Sequence, residues 1–187
     1  MPPKAKITRE MIVNAAFEIV REDGAENINA RTVSKKLGCS TQPVMYHFKK
    51  IEDIKKVVYE KTDKYHSAYI TKVHSANAMK EIGLLYIRFA ATEKNLFRFL
   101  FQSNAFSEKS IPELINTSEM QPILAMFAEG AEVKHEQASI IFKSLFLYAH
   151  GYASMFANNS ISYDEEAIST DLDRIFVGAV YASREGF

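Results

Sequence analysis

The chain has 187 residues, 47% hydrophobic and 25% charged, which suits one or two globular domains and excludes disordered, collagen-like and disulfide-knotted designs. Seven Gly and five Pro are few helix breakers for this length, so a mostly helical chain is expected. The formal net charge of zero hides an asymmetry: residues 1–64 carry 13 Lys and Arg against 9 Asp and Glu, whereas residues 65–187 carry 10 against 14. Cys39 is the single cysteine, which rules out an internal disulfide and a multi-cysteine metal cluster. Together with the lack of a secretory leader pattern, it points to a reducing cytoplasm. Ser144 to Tyr163 contains no Lys, Arg, Asp or Glu, but His150, Gly151, Asn158 and Asn159 interrupt it, and it reads as a buried helix plus a turn.

In chain order, Thr8 is placed to cap a first helix whose Ile12, Ala15, Ala16, Ile19 and Val20 share one face. Gly24 is expected to end it in a left-handed conformation. A short second helix follows Asn29 as N-cap, turns Ala30, Val33 and Leu37 inward and stops at Gly38. The third is capped by Ser40 or Thr41, carries Pro43 in its first turn and is held by Val44 and Phe48. A long fourth helix runs from about Ile51 into the seventies. Further helices are expected at about 77–92, 94–102, 118–130, 133–157 and 163–183, the last opened by a Ser162/Glu165 capping box. Residues 103–117, with Pro112, read as either a loop or a short helix. The fold class is all-α, without strand alternation or repeats.

Between Ile28 and Lys56, Arg31, Lys35, Lys36, Lys49, Lys50, Lys55 and Lys56 face only Glu52 and Asp53. Such an excess suits a phosphate-facing surface, although an ordinary solvated helix surface has the same composition. Gly24, the run Ile28 to Ser40, then Val44-Met45-Tyr46-His47-Phe48 and Glu52-Asp53-Ile54 resemble the DNA-binding domain of TetR-type transcriptional regulators over about residues 7–55. The resemblance implies a helix-turn-helix DNA-binding domain at 1–55, joined by a long helix to a helical effector-binding and dimerisation domain at 56–187. It also implies a homodimeric repressor, responsive to a ligand and binding double-stranded DNA at a palindromic operator, with no enzyme activity, cofactor or metal.

A helix entering the major groove reads base edges while neighbouring groups grip phosphates. Gln42 suits adenine, Arg31 guanine, and Thr41 a base or a phosphate; Thr32, Pro43, Met45, Tyr46, His47, Lys49 and Lys50 complete the expected DNA-contacting set. The family commonly has Tyr at the Met45 position and Lys at the Ile51 position, so those phosphate contacts pass to Tyr46, Lys49 and Lys50.

In the second half, Ala149, Ala153 and Ala157 recur every four residues, as do Gly178 with Ala182 and Ala179 with Ser183. The resemblance implies dimerisation through the last two helices, and these small residues with Ile175 are the expected seam, although close packing inside one subunit gives the same pattern. Phe146 to Gly151 resembles a family motif in which Trp stands where Phe146 does, making His150 either an effector contact or a core histidine. Phe89, Phe101, Met126, Phe127, Phe142, Tyr148, His150 and Tyr152 are the expected lining of a pocket for a small apolar or aromatic effector.

Two rival readings stand beside this one. The first is a DNA-binding architectural or cell-cycle protein of the same fold without an effector. The second is a helical small-molecule-binding protein or enzyme with an incidentally basic front. No phosphate-binding glycine loop, paired-His metal motif or nucleophile elbow supports an enzyme.

Overall fold

The computed structural model describes residues 7–74, 77–103, 113 and 117–186. Among them the protein is all-helical: α1 Arg9–Asp23, α2 Ala30–Lys36, α3 Thr41–His47, α4 Ile51–Ile70, α5 Ala78–Thr92, α6 Lys94–Phe101, α7 Gln121–Ala131, α8 His135–Asn158 and α9 Glu165–Glu185. Short 3-10 turns occupy Ala25–Asn27 and Ser118–Met120. No described helix is long and apolar enough to cross a membrane. The 103–117 stretch lies outside the described residues except at Ser103, Glu113 and Thr117.

The helices form two compact units. The front unit comprises described residues 7–68 and 93–103; the rear unit comprises the rest. A cut at residue 55 therefore differs from the packing, which keeps most of α4 and all of α6 with the front. In the front unit, α1 buries Ile12, Ala15, Ala16, Ile19 and Val20, the stripe its spacing sets out. α6 packs on α1, and polar groups fix the joint. Asn95 Nδ2 donates to the carbonyls of Arg21 and Glu22, both at 3.0 Å, satisfying acceptors that the end of α1 leaves open. Arg21 forms a two-pronged ion pair with Glu93, which also accepts from Tyr65 Oη at 3.2 Å.

Helix boundaries follow local chemistry, with two corrections. α9 is capped by Asp164, whose carboxylate accepts from Ala167 N at 3.1 Å, and not by the Ser162/Glu165 box. Asp caps as well as Ser, and its charge favours the helix N-terminus. Gly24 does end α1, but at φ 98° and ψ 159°, an extended glycine conformation and not the left-handed helical one.

In the rear unit, α8 packs against α5, α7 and α9. The core gathers Leu124, Phe127, Ala138, Ile141 and Phe142, with Phe176, Ala179 and Val180 of α9 against it. The turn from α7 to α8 places Glu132 at φ 52°, where it closes a Schellman pattern: Glu132 N bonds Glu129 O and Val133 N bonds Ala128 O. A side chain in this left-handed region is strained. Glu132→Gly is expected to stabilise the rear unit by about 1 kcal/mol, read as a rise of about 2–4 °C in its melting transition. A fall in that transition would locate the strain elsewhere.

Candidate nucleic-acid interface

The second and third helices are joined by a turn whose geometry glycine permits. Gly38 sits at φ 64°, Gly38 N bonds Lys35 O at 3.1 Å, and Cys39 N bonds Ser34 O at 3.0 Å. This Schellman closure ends α2 and starts α3 three residues later. At the other end of α2, Asn29 Oδ1 accepts from the backbone of Arg31 and Thr32, both at 3.0 Å. The Thr32 hydroxyl accepts from Asn29 N at 3.1 Å and donates toward Asn27 O at 2.7 Å, completing a capping box. Thr32, expected to contact DNA, is thus committed to the helix cap. The Asn-x-x-Thr spacing carries that signal.

Val33 and Val44 are fully buried and Phe48 nearly so, and α2 and α3 both pack against α1. With Val44 and Phe48 inward, Thr41, Gln42, Met45 and Tyr46 stand exposed on α3, Tyr46 to 76%. Pro43 is half-buried in the first turn, where its missing N–H costs no hydrogen bond. Arg31 on α2 and Lys49 and Lys50 beyond α3 are also exposed. Lys36 is ion-paired with Glu22 at 2.5 Å, which reduces its availability to a phosphate. The Nε2 of His47 lies 3.0 Å from Ile7 O, and the half-buried ring meets Tyr46 edge to face. Arg9, which sequence reasoning did not single out, places its guanidinium 4.7 Å from the centre of the Phe48 ring.

The side chains expected around an effector are divided between the two units and, in the rear unit, between separate aromatic rows. Phe101 belongs to the front unit, against Phe97 and His66. In the rear unit Phe89 is fully buried against Tyr69. Phe127, Phe142, Phe146 and His150 form one aromatic row, joined by Tyr86, whose hydroxyl lies 2.8 Å from His150 Nδ1. Met126 packs beside that core, half-buried. Burial holds His150 below the usual imidazole range and Tyr86 above the usual phenol range. Tyr148 and Tyr152 belong to a different row with Phe156 and Tyr163, and Tyr152 Oη donates to Asp171 at 2.6 Å. No local signal announces the Tyr86–His150 pair, whose members are 64 residues apart.

Burial also revises the expected dimer seam. Ala149, Ala153 and Ala157 are 5%, 0% and 2% exposed in the single chain, so their row is used inside the rear unit. Ile175, Ala179 and Ala182 are half-buried, and Gly178 is exposed. The outward apolar stripes carry Ile140, Leu147 and Met155 on α8, and Val177 and Tyr181 on α9.

Among the described residues, no three His, Cys, Asp or Glu side chains gather as metal ligands would. Comparison with known proteins adds no assignment: no family model matches the chain, and neither does any curated protein.

Proposed function

We propose that this chain is a cytoplasmic, homodimeric, sequence-specific DNA-binding transcriptional regulator of the TetR type, acting as a repressor at a palindromic operator. The observation that carries the reading is the α3 face. Val44 and Phe48 fix the helix from behind, and Thr41, Gln42, Met45 and Tyr46 project from it with Arg31, Lys49 and Lys50 nearby. That combination supplies side chains for base edges and cations for phosphates. One such helix reads only a few base pairs, so specificity calls for a two-fold pair of them. The exposed stripes of α8 and α9 offer an apolar surface for a second copy.

An apolar or aromatic effector would act in the rear unit, beside the Tyr86–His150 pair and its aromatic row, by preferring one of two arrangements of the dimer. The near-complete burial of Phe89, Phe127 and Phe142, at 0%, 4% and 8%, favours the second reading, a DNA-binding architectural protein with no effector. Thermal stabilisation by a small molecule separates the two.

The test is selection of bound duplexes from a random library with the purified full chain, followed by titration of the enriched sequence. An inverted repeat is expected. Gln42→Ala is expected to weaken binding by about 1–3 kcal/mol at one base position in each half-site and to relax the preference there. Failure to enrich any duplex with folded protein would overturn the reading; an equal loss for all sequences would remove Gln42 from base readout.

A further inference from the structure

We propose that Arg9, held over the ring of Phe48, grips a backbone phosphate of the duplex that α3 reads and so helps to fix the register of that helix. The contact rests on the DNA-binding reading above. The chain has seven arginines, and five of them have partners. Arg21, Arg88 and Arg174 pair with Glu93, Glu165 and Asp171, while Arg98 donates to Asn95 and Arg184 to the carbonyl of Ala131. Among the described residues, the side chains of Arg9 and Arg31 alone have neither a hydrogen bond nor an ion pair, and both belong to the segment from α1 to α3. Arg31 is suited to a base edge, which leaves Arg9 without a task.

Its position is fixed from two sides. The guanidinium carbon lies 4.7 Å from the centre of the Phe48 ring, and Phe48, only 3% exposed, is a rigid platform at the C-terminal end of α3. His47 Nε2 meets Ile7 O at 3.0 Å, two residues ahead of Arg9, and ties the same joint. Arg9 itself is exposed. An aromatic face attracts the cation without supplying an oxygen acceptor, so the N–H fork remains available to an oxyanion, and phosphate fits it bidentately. Exposed Lys49 and Lys50 follow Phe48 directly, at about 3.8 Å per Cα step, so three cations meet at this end of α3. Glu10, Glu52 and Asp53 are close in sequence but form no ion pair with them among the described residues. Phosphates would relieve the mutual repulsion of such a cluster and release counterions. The placement suits the backbone: Thr41 and Gln42, at the N-terminal end of α3, are the side chains for base edges, and Arg9 stands at the other end. An arginine that only stapled α1 to α3 would leave the salt dependence of binding unchanged.

The enriched duplex is titrated across about 50–200 mM salt with the full chain and with its Arg9→Met and Arg9→Lys variants. Met keeps an unbranched side chain against the ring and removes the charge, whereas Lys keeps the charge. The exposure of Arg9 leaves the core intact in both. Arg9→Met is expected to flatten the slope of log K against log salt by about 0.9 per bound chain, which makes its loss of affinity about 3.5-fold larger at 50 mM than at 200 mM. That loss should be equal for all single-base variants of the duplex, unlike the loss from Gln42→Ala. Arg9→Lys should keep the original slope. An unchanged slope in Arg9→Met overturns the proposal whatever the affinity does, because it leaves Arg9 a staple between α1 and α3. A loss confined to one base position overturns it as well, since Arg9 would then read a base. A slope as flat in Arg9→Lys as in Arg9→Met also overturns it, because charge would not be what the position supplies. If the unaltered chain binds no duplex, the DNA-binding reading fails and takes this inference with it; if it binds and Arg9→Met keeps its slope, the phosphate contact alone fails.

Discussion

Acidification from neutral pH to about pH 4 is expected to remove about 3 kcal/mol of front-unit stability through His66 alone. The residue lies on α4 at 7% exposure, with its ring 5.1 Å from that of Phe101. Burial makes the imidazolium costly and pushes its pKa from 6.5 down to about 4. The unfolded chain therefore binds a proton that the folded chain does not, and stability falls with pH through that window. The contribution is complete above the unfolded value of 6.5 and is lost as pH drops toward about 4. Denaturant titrations followed by circular dichroism at several pH values check it against His66→Leu, which removes the titrating group and keeps an apolar side chain. Carboxylates titrate equally in both proteins, so the difference between the two curves isolates His66. Parallel curves would show that water reaches the ring in the folded state.

Much of the front unit was legible because its signals are local. The α1 stripe is an arithmetic of three and four residues, and all five of its expected members are buried. Asn29 and Gly38 act within a few residues of where they stand. Legibility failed where a helix had to choose a partner. The amphipathic pattern of α6 shows that one face is buried but not against what; Asn95 and Glu93 make that choice with α1, more than 70 residues away. The alanine row of α8 likewise signals close approach without naming the neighbour, which is in the same chain. Aromatic density misled in a related way. Phe101 and Phe142 look alike in sequence and belong to different units, so a pocket cannot be assembled by counting rings. In the candidate interface, side-chain type identified groups able to meet DNA, but it did not show that the Thr32 hydroxyl and one ring nitrogen of His47 have backbone partners.

The proposed homodimer is expected to dissociate when charge is placed on the outward stripes and to survive changes in the alanine row. Leu147 and Tyr181 are 44% and 65% exposed in the single chain, so Leu147→Glu and Tyr181→Glu should change folding stability by only about 0.5 kcal/mol. In a two-fold interface each substitution occurs twice, and burying like charges against an apolar partner surface costs several kcal/mol. A rise of roughly a hundredfold in the dimer dissociation constant, about 2.7 kcal/mol, is expected from sedimentation equilibrium. Ala153→Leu should do the opposite. Its site is fully buried, so the larger side chain overpacks the rear unit and lowers its stability by about 1–3 kcal/mol while the folded chain still dimerises. If the Glu variants remain dimeric with an unchanged constant, the second copy docks elsewhere on the chain. If they are monomeric, folded and bind only single half-sites, the α8 and α9 stripes set the spacing of the two α3 helices, and dimerisation and operator choice depend on the same surface.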